Sequence, residues 1–261
     1  MSALAPVADG VLVAIHEFCT TTTTVVLDAS DGCLVIDPAV RPDEIDHVAD
    51  QLRALGRGVV AGFATHPHWD HLLWRPSLGD APRYATAAAA RTARNRLSSN
   101  EIKARAAVED IDVSGLARVT DLAPDASEIP WAGPRAVIVE HRGHAPGHAA
   151  LLLPDVGVLV AGDMLSDIEV PLLDLDSPDP VADYRAALDT FESLLDRVHI
   201  VVPGHGSVGD GSDLRSRLEA DRRYLEDLVH QRDSADARLL AGPDWLRREH
   251  EDAQAWVGTH T

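Results

Sequence analysis

The chain has 261 residues, with 23 Lys and Arg against 42 Asp and Glu for a formal charge of −19, and 45% of its residues are hydrophobic. That length and apolar content support a sizeable buried core and exclude a disordered chain, and no apolar run approaches the roughly 18–20 residues of a membrane-spanning helix. The acidic surplus argues against a nucleic-acid or anionic-membrane partner, since such binding draws its affinity from basic surface.

Residues 1–10 carry no basic residue ahead of an apolar core, which is not the pattern of a secretory signal. A cytoplasmic chain is therefore expected, with its two cysteines, Cys19 and Cys33, as free thiols. The Thr20 to Thr24 run reads as an edge strand. Residues 25–27 and 33–36 read as short strands joined through Asp31-Gly32, and Asp37-Pro38 closes the second. Residues 42–55 form a helix with Ile45, Val48, Ala49, Leu52 and Leu55 on one face and Gly56 as its stop. The compact apolar run 59–64 is a buried strand. Residues 84–110, rich in Ala and Arg, read as a helical insertion with a thin apolar face.

Residues 136–139, 149–153 and 156–161 are three more strands. Asp179-Pro180 then opens a helix in the favoured cap-then-proline order, with a stripe running from Val181 to Val198. Residues 200–202 form a last strand, and Leu214, Leu218, Leu225, Leu228 and Val229 mark a further helix. From Arg232 the chain turns polar, with Trp245 and Trp256 as anchors. Two batches of strands with helices between them, and metal-capable residues just past strand ends, predict a layered α/β fold whose site is built from loops along one edge. One domain is expected over residues 1–261, with a C-terminal helical region over 211–261.

Histidine is over-supplied: of thirteen, seven fall in three short clusters. The first is His66-Pro-His68-Trp-Asp70-His71. Imidazole and carboxylate suit borderline divalent metals. His66 and His68, two apart in an extended segment, point the same way, whereas Asp70 and His71 begin a turn and aim elsewhere. One six-residue loop can thus serve two adjacent cations. Two dications about 3.5–4 Å apart can share a hydroxide and polarise a substrate oxygen.

The segment matches the H-x-H-x-D-H signature, and the chain resembles the metallo-β-lactamase fold superfamily. Gly143-His144-Ala145-Pro146-Gly147-His148 resembles its G-H-T-x-G-H element, Gly162-Asp163 its bridging-aspartate element, and Pro203-Gly204-His205-Gly206 its last-histidine element. Asp37 resembles its early strand-Asp turn. The resemblance covers about residues 10–210. It implies a four-layer αββα sandwich with the site at one edge, His66, His68 and His144 on one metal, Asp70, His71 and His205 on the other, and Asp163 bridging them. It also implies two divalent ions, with zinc expected and manganese or iron as alternatives, and Asp70 as the catalytic residue that orients the nucleophile. His148 and His141 are expected to pack rather than to bind metal, and Asp37 to support the metal loop. The acidic run Asp167, Glu169, Asp174 and Asp176 is expected in a solvated loop.

Fold does not fix substrate, so departures from the pattern matter. β-Lactamases of the superfamily typically lack the bridging aspartate, which is present here. The quorum-quenching lactonases carry a Tyr shortly after it, where this chain has Met164-Leu165-Ser166. The hydroxyacylglutathione hydrolases share the ligands, but the tail here has no convincing match to their glutathione-binding region. The resulting expectation is a dinuclear metallohydrolase acting on a small-molecule ester, thioester or lactone. The alternatives are an iron-dependent oxygenase of the persulfide-oxidising type, a phosphodiesterase or a weak β-lactamase. The sequence leaves oligomeric state open.

Overall fold

A computed structural model describes residues 3–260. Met1 and Ser2, which open the segment read for a leader, and Thr261 lie outside the described residues. Seven strands form one sheet in sequence order: β1 (Ala5–Ala8), β2 (Val11–Ile15), β3 (Thr22–Leu27), β4 (Gly32–Ile36), β5 (Gly58–Phe63), β6 (Arg83–Ala85) and β7 (Thr120–Asp121). Pairing is antiparallel through β4 and parallel from β4 to β7. A second sheet has the order β12-β11-β10-β9-β8, built from β8 (Val137–His141), β9 (His148–Leu153), β10 (Val158–Gly162), β11 (Ile200–Pro203) and β12 (Gly209–Asp210). Among the described residues, no helix is long and apolar enough to cross a membrane.

Side-chain alternation sorts the strands into layers. In β4, Cys33 and Val35 join a core with helix α1 (Pro42–Ala54), while Leu34 and Ile36 face the other way into a core shared with the second sheet. In β10, Val158 and Val160 enter that same central core, and Leu159 and Ala161 pack outward with α4 (Pro180–Glu192) and α5 (Gly211–Val229). Strands buried on both faces read as continuous apolar runs, because a strand's period of two has a hydrophobic partner on each side. Three cores separating four layers make the αββα sandwich, with α2 (Ala87–Asn95) and α3 (Leu97–Ala107) on the first sheet's outer side.

Several expectations need correction. The Thr20 to Thr24 run is not an edge. Thr22 to Thr24 lie buried in β3, all three paired with β2 and Thr24 with β4 as well. The polar run is tolerated because Thr22 Oγ1 donates to the Pro203 carbonyl at 2.6 Å and Thr23 Oγ1 to that of Asp37 at 3.0 Å. The 84–110 insertion is not one helix: Tyr84 belongs to β6, Thr86 caps α2 by accepting from Ala89 N, and the chain breaks at Arg96 before α3. The stripe from Val181 outruns its helix, which ends at Glu192. The C-terminal region is helical as expected: the polar tail folds into α6 (Ala237–Ala241) and α7 (Asp244–His260), whose Trp245 and Trp256 pack against the outer core.

Candidate metal centre

The two sheets meet where β3 begins and β11 ends. Thr22 N donates to the Gly204 carbonyl at 2.8 Å, and Thr21 bridges His205. The loop after β5 is anchored beside this seam. Asp37, just past β4 at φ +48°, accepts from Thr65 N at 2.9 Å on Oδ1 and from Thr65 Oγ1 at 2.6 Å on Oδ2. Asn100 of α3 holds the Pro67 carbonyl from the other side at 3.0 Å. His144 sits between β8 and β9, Asp163 just past β10, and His205 just past β11. Gly204 must be glycine, because a Cβ there would overlap Asp163 Oδ1.

The structure brings all seven sequence-predicted side chains together, in two groups: His66, His68, His144 and Asp163, then Asp70, His71 and His205. Within each group the candidate donor atoms lie within 4.8 Å of one another. Outer hydrogen bonds set the ring tautomers. His71 Nδ1 donates to Asp37 Oδ2 at 2.9 Å, His144 Nδ1 to the Leu172 carbonyl at 2.8 Å, and His205 Nδ1 to that of Cys19 at 2.9 Å. Thr65 Oγ1 gives its own proton to Asp37, so it accepts from His66 Nδ1 at 3.0 Å. Each of these imidazoles therefore turns its Nε2 inward, bare in the neutral ring, the arrangement that outer partners impose on metal-binding histidines.

The inward nitrogens crowd together. His68 Nδ1 lies 2.9 Å from His144 Nε2 and 3.1 Å from His66 Nε2, and His71 Nε2 lies 3.4 Å from His205 Nε2. Asp163 straddles the groups. Its Oδ2 is 3.5 Å from His66 Nε2 and 3.6 Å from both His144 Nε2 and His205 Nε2, and its Oδ1 is 3.1 Å from His71 Nε2. That Oδ1 is buried without a well-formed hydrogen bond. Converging lone pairs and a buried, under-satisfied carboxylate fit a pair of divalent cations, whereas protons alone cannot satisfy them all.

The electrostatics divide the groups. Burial, reinforced by neighbouring imidazoles, lowers His66 well below the ordinary histidine range and His68 to about 3. Burial acts on His71 and His205 as well. There Asp163, Asp37 and Asp70 overcome it and push His71 well upward, and Asp163, Glu169 and Asp70 push His205 up to about 10. Burial opposes ionisation of Asp70, but His71 and His205 hold it down to about 2.

His148 and His141 pack behind the centre. His148 stacks on His66 with centroids 4.8 Å apart and donates from Nε2 to the Ala161 carbonyl at 3.1 Å, and His141 lies 4.5 Å from His148. A cleft of about 920 Å³ opens over the metal-capable residues, walled by Phe18 and Trp69, by Lys103, Ala106 and Ala107 of α3, and by Trp245. Trp74 instead packs in the first sheet's outer core. The acidic run is not uniformly solvated. Asp176 is exposed and pairs with Arg96 at 2.6 Å, but Glu169 is buried against His205 at 3.7 Å, and burial pushes it up to about 7. Sequence reasoning missed Glu169 because three exposed or half-buried acids surround it. A hint was available in its apolar neighbours Ile168 and Val170.

The family model of the metallo-β-lactamase superfamily matches residues 18–205, and the chain belongs to that superfamily. Solved structures share its fold at low identity. A β-lactamase domain protein from Burkholderia ambifaria superposes with a TM-score of 0.71 at 18% identity, covering 98% of this chain and 87% of that one. A stereoselective inverting sec-alkylsulfatase from Pseudomonas sp. gives 0.62 at 18% identity, covering 88% of this chain and 42% of that one. A metallo-β-lactamase from Hirschia baltica gives 0.60 at 16% identity, covering 84% and 96%. No curated protein matches the chain significantly.

Proposed function

We propose that the protein is a dinuclear metal-dependent hydrolase of a small carbonyl compound, an ester, thioester or lactone. The observation that carries this reading is the pairing of two complete donor groups across one shared carboxylate, Asp163, at the floor of an open cleft. Zinc is the ion we expect. His66, His68 and His144 would hold one ion, Asp70, His71 and His205 the other, and Asp163 both. When bound, such ions polarise a substrate oxygen and lower the pKa of bound water from 15.7 to about 7.

The chain's own groups do the rest. Asp37 fixes His71 directly and His66 through Thr65, so one carboxylate sets the tautomers of two imidazoles in different groups. Asp70 Oδ2 faces His205 Nε2 at 3.3 Å and His71 Nε2 at 3.7 Å, and in this reading its other carboxylate oxygen would accept a hydrogen bond from the water and orient it toward the substrate. Phe18 and Trp69, edge to face at 6.0 Å, wall one side of the cleft with apolar surface.

The second donor group favours hydrolysis over a mononuclear iron oxygenase, which has no use for Asp70, His71 and His205 as a set. The charge of −19 disfavours a polynucleotide phosphodiester. Neighbours named as β-lactamases and as an alkylsulfatase carry the fold without selecting a bond to cleave. We place the protein in the cytoplasm, where Cys19 and Cys33 would stay reduced.

The test is a metal analysis joined to a panel of chromogenic esters, thioesters, lactones and phosphodiesters. Two zinc or manganese ions per chain with turnover of a carbonyl substrate supports the reading. One iron with oxygen uptake contradicts it.

A further inference from the structure

Beside the cleft lies a second cavity, of about 440 Å³. That is within the roughly 300–1,000 Å³ of small-molecule pockets. Its wall includes Cys19, Thr20, Ile168, Ala237, Ala241 and Trp245. Cys19, Glu169 and Trp245 line the metal cleft as well, so the two cavities abut. The helices that close it, α6 and α7, lie beyond the residues that the superfamily model matches.

Two of the cavity's charged neighbours, Asp167 and Arg238, are committed elsewhere, and Glu169 Oε1 faces His205 Nδ1 at 3.7 Å. Asp167 Oδ1 accepts from Ser207 N at 2.8 Å. The buried Arg238 guanidinium bonds Asp221 at 2.7 Å, Asp236 at 2.8 Å and the carbonyls of Ser166 and Glu169 at 3.1 and 2.9 Å. These bonds clamp α6 onto the 166–169 loop, just past Asp163, so the wall is held at a fixed distance from the metal centre. On the opposite side, Cys19 and Thr20 form a turn with φ +47° and +52°. Two consecutive non-glycine residues in the left-handed region are costly and persist only where their surroundings impose them. Here the surroundings are visible. The Cys19 carbonyl accepts from His205 Nδ1, the Thr20 carbonyl accepts from Gly206 N at 2.9 Å, and Glu44 Oε1 accepts from Glu17 N and Phe18 N at 3.1 Å each. What remains facing the cavity is mainly hydrocarbon and indole.

We propose that this side pocket receives the hydrocarbon portion of the substrate, an acyl chain of medium length, while the carbonyl lies at the metal centre. The assignment rests on the hydrolase reading for its carbonyl half and on the cavity alone for its apolar half. Burying one methylene is worth about 0.8 kcal/mol, which is about fourfold in kcat/KM.

The test uses the full zinc-loaded chain in two independent arms. In the first, kcat/KM is measured on p-nitrophenyl acetate, butyrate and hexanoate. The value should climb about fourfold per added methylene, and in Ala241→Trp and Ala237→Phe the hexanoate-to-acetate ratio should fall toward one. Both positions are exposed, so the larger side chain needs no space in the core. In the second arm, N-ethylmaleimide alkylates Cys19, the exposed thiol, while Cys33 is buried. The probe is 1-octanol, which has no carboxylate to bring to the metals. It should slow alkylation in the natural sequence and not in the filled variants. A flat chain-length series, or a series unchanged in both variants, overturns the substrate subsite. Alkylation indifferent to octanol overturns the pocket itself. Octanol protection without turnover of any ester upholds the pocket and counts against the hydrolase reading instead.

Discussion

The two donor groups lie side by side, share a carboxylate and are both largely buried, yet His66 and His68 of the first stand in the opposite state to His71 and His205 of the second. His66 and His68 are surrounded mainly by other rings, so burial keeps them neutral. His71 and His205 are surrounded by carboxylates: Asp37, Asp70 and Asp163 for the first, and Asp70, Asp163 and Glu169 for the second. Burial therefore has no fixed consequence for a histidine. What decides is whether the charge on the nearest side chain outweighs lost hydration. The first group is ready to accept a cation, whereas the second must release protons to do so.

The largest expected effect comes from removing the shared carboxylate. Asp163→Ala should lose the second ion and reduce hydrolysis by more than the ~10–100-fold that outer hydrogen-bond partners are worth. Unchanged metal content and rate would remove Asp163 from the account. Asp37→Ala should weaken binding at the second group by about 10–100-fold, and at the first by less, since Asp37 touches His71 directly and His66 only through Thr65. Calorimetric zinc titration resolves the two steps, and equal weakening would erase the distinction drawn here.

Stability of the metal-stripped protein against pH sharpens the same contrast. His205 is raised from 6.5 to about 10, so its stabilisation is complete below 6.5 and lost as pH rises through 10. His68 is lowered from 6.5 to about 3, so its contribution is complete above 6.5 and lost as pH falls toward 3. Taken together, these two groups place a thermal-unfolding maximum of the chelator-treated protein at about pH 6–7. A Tm that still rises beyond pH 8 would contradict the assignment for His205. The smallest effect concerns Cys19, whose thiol is pushed up to about 11 by burial and by Asp70 and Glu169. Cations bound beside Asp70 offset that negative charge, so loading zinc should speed alkylation of Cys19 by a factor of a few. Slower alkylation on loading would argue that the carboxylates do not govern this thiol.

The donors were legible in the sequence because each stands within a short motif after a strand end, and chemistry-bearing residues at such ends converge on one edge of the sheets. The layers were legible from apolar runs such as 149–153, which only a strand covered on both faces would carry. What the sequence hid was polarity satisfied from afar. Thr22 and Thr23 look like a solvent edge until Pro203 and Asp37 supply acceptors from residues distant in the chain. Glu169 looks solvated until the fold buries it against His205. The break at Arg96 was hidden inside a stretch rich in Ala and Arg, although Ser98, Ser99 and Asn100 just beyond it are residues that favour caps and turns.

The central claim is tested most directly by counting metal in the reconstituted chain. Plasma mass spectrometry after dialysis against zinc should find two ions per chain, and the second should be lost first on mild acidification, as His71 and His205 regain their protons. A chain that retains one ion or none under saturating zinc would contradict the account.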